Sequence, residues 1–167
     1  AFAFSPPALP PEATLDRIGE AGRERLIGAG YQHYEISAFA RPDHACQHNM
    51  NYWQFGDYLG LGAGAHGKLT LPAENRIERR VRSHHPNQYL ELAGQAANID
   101  AHDISRQDLP FEFMLNALRL TDGFPVSLFQ ERTGMPIAVV SKTLRSLEDD
   151  GLIEWDIQTI RPTERGL

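Results

Sequence analysis

Hydrophobic and polar positions change period several times along this chain. After Pro11, which suits a first helical position, Leu15, Ile18, Gly22 and Leu26 recur on one helical face. Gly28 and Gly30 stop that helix. "YQHYEISAF" (31–39) then alternates, with Tyr34, Ile36 and Ala38 on one side and His33, Glu35 and Ser37 on the other, which predicts one strand. Helix, glycine turn and strand make the αβ unit of an α/β fold. "ARPDHACQ" (40–47) is loop by composition. "YLGLGAGAHG" (58–67) starts apolar and runs into glycine, which predicts a buried strand whose end permits close backbone approach. "NRIERRVRSH" (75–84) predicts a further strand with Ile77 and Val81 on one face. "HPNQYLELAGQA" (85–96) predicts a short helix begun after Pro86.

From Asp108 the pattern turns mainly helical. Asp108 can cap a helix with Pro110 in its first turn, and Phe111, Met114, Leu115 and Leu118 form the apolar stripe until Gly123. "PVSLFQERTG" is a second helix ending at Gly134. Ile137, Val140, Leu144 and Leu147 mark a third, ending at Gly151, and "LIEWDIQTIRPT" supplies two short strands around a turn. Three helices and a β-wing form a winged-helix pattern. The expected organisation is α/β over residues 1–107, then a small helical, winged-helix-like domain over 108–167.

Composition narrows the function classes. The 167 residues are 41% hydrophobic and 23% charged, ordinary for a soluble domain with one core or two small ones. No apolar run approaches the ~20 residues of a membrane span, and no signal peptide is visible. Cys46 is the sole cysteine, so no internal disulfide can form and a reducing cytoplasm is the expected location. One thiolate cannot hold an iron–sulfur cluster, which takes about four ligands. The net charge of −6 opposes broad attraction to nucleic acid or anionic membrane. Residues 109–167 carry nine acidic against six basic side chains, so the winged-helix pattern lacks the basic footprint of a DNA reader, and nucleic acid is not an expected partner. The opening "AFAFSPPALPPE", Pro-rich and without Met, leads us to expect a piece of a longer protein.

Candidate chemistry concentrates between residues 44 and 85. His44, Cys46 and His48 share a short stretch, but zinc wants a fourth ligand and no paired motif supplies one, which leaves His44 a polar loop residue. In "HNMNYW", His48 is an imidazole followed by an amide and a phenol. It can be an iron ligand oriented by its neighbours, or Asn49 can merely turn the chain while Tyr52 and Trp53 pack. Gly62, Gly64 and Gly67 match G-x-G-x-x-G, but "KLTLPAEN" follows instead of a helix, so no dinucleotide site is indicated. These glycines either let the backbone approach a flat ligand or permit a bend. Arg76, Arg79, Arg80 and Arg82, beside His84 and His85, read as a solvated strand edge interrupted by Glu78.

The phrases "YEIS", "ARP", "HNMNYW", "DYLGLGAGAHG", "FEFMLNALRL" and "LEDDGLI" together resemble radical SAM proteins of the oxygen-independent coproporphyrinogen III oxidase group, most closely its HemW-type haem chaperones. The resemblance implies the end of a partial radical-SAM-type α/β barrel followed by the helical C-terminal domain. It implies haem as ligand, with an H-N-x-x-Y motif falling on His48, Asn49 and Tyr52: His48 as axial ligand of the haem iron, Asn49 orienting it and Tyr52 beside the macrocycle. Gly60, Gly62, Gly64 and Ala65 match a glycine-rich barrel segment near the S-adenosylmethionine or porphyrin cavity. A 4Fe-4S cluster and S-adenosylmethionine are implied for the full-length parent, whose C-x-x-x-C-x-x-C motif is not in this sequence, so this chain alone should be inactive as an oxidoreductase. Implied partners are haem or porphyrin and a haem-recipient protein. A severed barrel piece would leave an open sheet edge, so self-association is also expected. Asp43 departs from the family, which often has Gly after "RP".

Overall fold

The structure, a computed structural model, describes residues 8–167. The chain divides into two compact units between Ala45 and Cys46.

In the first unit, helix α1 (Glu12–Gly28) starts directly after Pro11. It closes where Gly30 adopts φ +82° and the Tyr31 N–H returns to the Leu26 carbonyl at 3.1 Å. The predicted helix is present, but its expected apolar face is not a core. None of its residues is buried, and Leu15, Ile18 and Leu26 are exposed. Among the described residues its own unit offers only two short strands, too little surface to cover a 17-residue helix. The single strand expected over 31–39 is instead a hairpin, in which β1 (Gln32–Glu35) pairs antiparallel with β2 (Ala38–Ala40). The reversal comes from local bonding. The Ser37 N–H donates to the Glu35 carboxylate (3.1 Å), and the His33 and Phe39 rings stack across the pair at 4.4 Å. Asp43 sits at φ +64°, a left-handed conformation that suits glycine and that Asp tolerates better than most residues.

The second unit begins with helix α2 (Gln47–Trp53), followed by strands β3 (His66–Leu71) and β4 (Arg76–Arg82), helix α3 (Pro86–Glu91) and strand β5 (Ile99–Asp103). The three strands form an antiparallel sheet in the order β3-β4-β5, with Gly67 opposite Arg80 and Arg80 opposite Ala101. The arginine-rich strand is therefore central, not a solvated edge. The polar run that becomes β5 carries no strand alternation to announce it. Arg76 pairs with Glu74 (2.7 Å), Glu78 (2.7 Å) and Asp103 (2.8 Å), Arg80 with Glu78, and Arg79 with Glu112. "YLGLGAGAHG" is not a buried strand either. Tyr58 makes an isolated bridge to Lys68, Leu59 and Leu61 stand 70% and 81% exposed, and only the last two residues of the stretch, His66 and Gly67, enter β3. Four glycines in ten residues make extended pairing entropically unfavourable.

Helices α4 (Leu109–Ala117), α5 (Val126–Thr133) and α6 (Ser141–Asp149) follow. A small sheet goes with them, formed by β6 (Phe124–Pro125), β7 (Ile153–Trp155) and β8 (Thr159–Pro162) in the order β6-β8-β7. Gly134 at φ +67° ends α5, and the 3₁₀ turn Ile137–Val140 leads into α6, whose Leu144 is buried. The core centres on Phe113, with the rings of Phe124 and Phe129 each 5.3 Å away and Phe55 5.7 Å away, all edge-to-face. Leu109, Ala117, Leu128, Leu144, Ile153 and Ile160 complete it. Burying each such side chain contributes about 1.5–3 kcal/mol. The stripe predicted for α4 is rotated. Leu109, Phe113, Asn116 and Ala117 face inward, while Phe111 and Leu115 are exposed. "LPFEFMLNA" is apolar almost all round, so period alone cannot choose the buried face; the aromatic partners of Phe113 do. Asp108 precedes α4 as expected, but its carboxylate accepts a hydrogen bond from the Ser105 hydroxyl (2.7 Å) and caps no helix N–H.

Candidate functional site

The stretch "HNMNYW" folds as α2. Its stop is tight. Phe55 takes φ +57°, costly for a bulky residue, and that reversal sends its ring into the core beside Phe113. The Gly56 N–H then donates to the Asn51 carbonyl at 2.7 Å. A Cβ on Gly56 would lie 2.8 Å from the Asn51 backbone carbonyl oxygen, which cannot swing away as a side chain can, so only glycine fits. The Asn51 side chain donates to the Asp57 carbonyl at 3.0 Å.

His48 lies exposed in the first turn of α2, Asn49 is half-buried, and Tyr52 is half-buried one helical turn after His48, on the same face. The Tyr52 ring packs edge-on to Trp53 (4.9 Å) and tilted on Tyr58 (5.0 Å). The Arg119 guanidinium stacks over Trp53 at 4.3 Å, which ties α2 to the end of α4.

Beneath this helix lies a polar network that the sequence reading did not single out. Asp57 accepts from Lys68 Nζ (2.9 Å), the Thr70 N–H (2.9 Å) and the Thr70 hydroxyl (2.8 Å). Burial would raise its carboxyl pKa, but these bonds outweigh that and hold it below the usual range. Lys68 is only 2% exposed, and its ammonium sits 4.3 Å from the centre of the Phe55 ring. Burial pushes it below the ordinary lysine range despite Asp57. Arg79, paired with Glu112, donates to the Tyr58 hydroxyl at 3.3 Å. Burial first, then the hydrogen bond with Tyr52, pushes the Tyr58 phenol up to about 12. Tyr58 therefore stays neutral at physiological pH. Pairing across 11 and 33 residues has no local signature in the sequence.

The glycine-rich segment is fastened elsewhere. A Cβ on Gly60 would lie 2.3 Å from the His66 carbonyl oxygen, so this glycine admits close backbone packing. Gly62 (φ +107°) donates its N–H to the Tyr89 hydroxyl at 3.2 Å. Gly64 (φ +72°) donates to the Ser83 carbonyl at 2.9 Å, and the Arg82 N–H donates to the Ala65 carbonyl at 2.9 Å. Gly60, Gly62, Gly64 and Ala65 are thus bound to the end of β4 and to α3, while contact with α2 runs through Tyr58. His44 bonds through its ring to the Pro42 carbonyl at 2.8 Å. Among the described residues no three His, Cys, Asp or Glu side chains converge as a metal cage, and no helix is long and apolar enough to cross a membrane.

The family described as HemN C-terminal domain matches residues 104–167. The chain is 44% identical over 99% of its length to the heme chaperone HemW of Escherichia coli (strain K12) and 39% identical over 99% to that of Haemophilus influenzae. It spans 43% and 42% of those relatives' own lengths, less than half. Its fold is that of part of the Escherichia coli coproporphyrinogen III oxidase HemN, a radical SAM enzyme. The TM-score is 0.65 at 20% identity, over 95% of this chain and 39% of that one. The resemblance drawn from "HNMNYW" and "DYLGLGAGAHG" is borne out: this chain is homologous to heme chaperones of the HemW type, and its HemN-type C-terminal domain starts near Ile104.

Proposed function

We propose that this chain carries the haem-holding part of a HemW-type haem chaperone, with His48 as axial ligand of the haem iron. The observation that carries the reading is the geometry of α2. His48 is exposed, and one turn later Tyr52 is braced by Trp53, Tyr58 and the Arg79–Glu112 pair. A neutral imidazole supplies the iron-binding nitrogen, and a flat aromatic on the same face supplies a wall for the macrocycle. Asn49 orients the ring. Gly60, Gly62, Gly64 and Ala65 line the porphyrin or S-adenosylmethionine side in the full-length protein, which brings the 4Fe-4S cluster. On this reading residues 1–107 are the end of a partial radical-SAM-type barrel and 108–167 a winged-helix-like domain. The protein works in the cytoplasm and passes haem to a recipient protein, and the open barrel edge of the isolated chain self-associates.

Adding ferric haem to the purified chain should give a red-shifted Soret band. His48→Ala should raise the Kd at this site at least about tenfold, equivalent to about 1.4 kcal/mol, with an unchanged far-ultraviolet circular dichroism spectrum. A variant spectrum and affinity equal to wild type would reject His48.

The fold likeness to a coproporphyrinogen III oxidase favours a second reading, a porphyrinogen oxidase. Assaying the full-length protein for protoporphyrinogen formation separates the two, since turnover would favour the enzyme. DNA binding by the winged-helix-like part is disfavoured by its excess of acidic residues.

A further inference from the structure

Between the turn that joins β3 to β4 and the C-terminal end of α5 lies a cavity of about 230 Å³ that the haem reading does not use. Its floor is apolar, made by Ile77, Ile104 and Leu109, of which Ile77 and Leu109 are each only 6% exposed. Its rim carries Asn75, Arg106, Glu131 and Arg132. The other polar groups around it are already spent. Thr70 bonds to Asp57, and Arg76 is held by Glu74, Glu78 and Asp103. The Thr133 hydroxyl donates to the Phe129 carbonyl at 2.6 Å and accepts from the Met135 N–H at 3.1 Å. Asn75, Arg106 and Arg132 are not spent: among the described residues, none of these three side chains has a hydrogen-bond or ion-pair partner. After burial, the charges of Arg79 and Arg132 help to hold the Lys68 ammonium below its ordinary range, so positive charge is in excess on this side.

We propose that this cavity binds a small aliphatic carboxylate, its chain on Ile77, Ile104 and Leu109 and its acid at the Arg106 and Arg132 guanidiniums. An apolar hollow with a few polar groups at its mouth is the usual form of a small-ligand site. Size and charge narrow the ligand. The cavity falls below the roughly 300–1,000 Å³ of sites for drug-sized molecules, which excludes a tetrapyrrole. Guanidiniums match both carboxylates and phosphates. Here, however, the Glu131 carboxylate also lines the rim, and α5 ends at the cavity with the negative end of its dipole. Both oppose a second negative charge, and a phosphate carries nearly two. A monoanion with an apolar body fits the floor and the rim together. The site stands apart from His48 and does not depend on the haem reading.

The test is a titration of the purified chain with isocaproate, followed through the amide nuclear magnetic resonance signals of Asn75, Ile104 and Gly134. Saturable shifts with a Kd of about 1 mM are expected for so small a ligand. Isohexyl alcohol keeps the chain and drops the charge, and it should bind at least about tenfold more weakly. Arg106→Gln and Arg132→Gln should each weaken isocaproate binding severalfold, and the double variant at least about tenfold. Circular dichroism should not change, because both side chains are exposed. Acetyl-Gly-Leu with a free C-terminus separates two sources of such an acid. Tighter binding than isocaproate would assign the cavity to a peptide end, and weaker binding to a free acid. Equal binding of acid and alcohol, undiminished affinity in the double variant, or shifts that never saturate would each overturn the site. Tighter binding of inorganic phosphate than of isocaproate would overturn the assignment to a monoanion.

Discussion

Phe113→Ala should lower the unfolding free energy of the second unit by about 3–5 kcal/mol, among the largest effects of any single truncation here. Phe113 is 0% exposed and touches Phe55, Phe124 and Phe129 edge-to-face. Its removal forfeits the transfer energy of a whole ring and opens a cavity between three others that cannot all collapse into it. Small domains hold about 5–15 kcal/mol in total, so the variant should unfold at a much lower urea concentration with little change in the denaturant slope. Phe111→Ala, two residues away on the exposed side of the same helix, should stay within about 0.5 kcal/mol. Comparable losses in the two variants would mean that the structure has the wrong face of α4 inside.

The second large effect concerns Asp57 and Lys68. Asp57→Ala should cost about 3 kcal/mol, because it leaves an ammonium that is 2% exposed without its counter-charge and releases both Thr70 bonds. That magnitude is the lower end for buried pairs, since the Asp57 side chain itself is 41% exposed. Lys68→Met should cost less than about 1.5 kcal/mol. The thioether can lie along the same path over Phe55, and Asp57 keeps Thr70 and solvent. Equal losses in the two variants would contradict this asymmetry.

The pair also predicts a pH profile. Asp57 has a folded pKa below its unfolded value of about 3.9. Its contribution is therefore in place above that value and disappears as pH falls through the folded pKa. Lys68 has a folded pKa below its unfolded value of about 10.4. The unfolded chain then holds the extra proton, so stability rises with pH up to that point. Urea midpoints across pH should show the acid limb weakened in Asp57→Ala and the alkaline rise absent in Lys68→Met.

Much of the site was legible as chemistry and little of it as placement. His48, Asn49 and Tyr52 stand together in the chain, so any short helix brings them within one turn of each other. The brace beneath them was not legible. Lys68 lies 11 residues from Asp57, and Glu112 lies 33 from Arg79; no local pattern announces either pair.

The sequence by itself determined every helix but α2, from α1 after Pro11 to the glycine-terminated α5, and the strands β7 and β8, because caps, breakers and period act within a few residues. It also carried the resemblance to HemW-type proteins, through motifs read in order along the chain. Only the tertiary structure decided which face of α4 is buried, that residues 31–39 fold back as a hairpin, that the arginine strand runs through the middle of its sheet, and that 58–65 is a loop. Each of those depends on what lies opposite in space. A nearly all-apolar helix, a bulky turn at Phe55 or a glycine run satisfies local rules in more than one way, and the choice falls to packing and to charges paired across the fold.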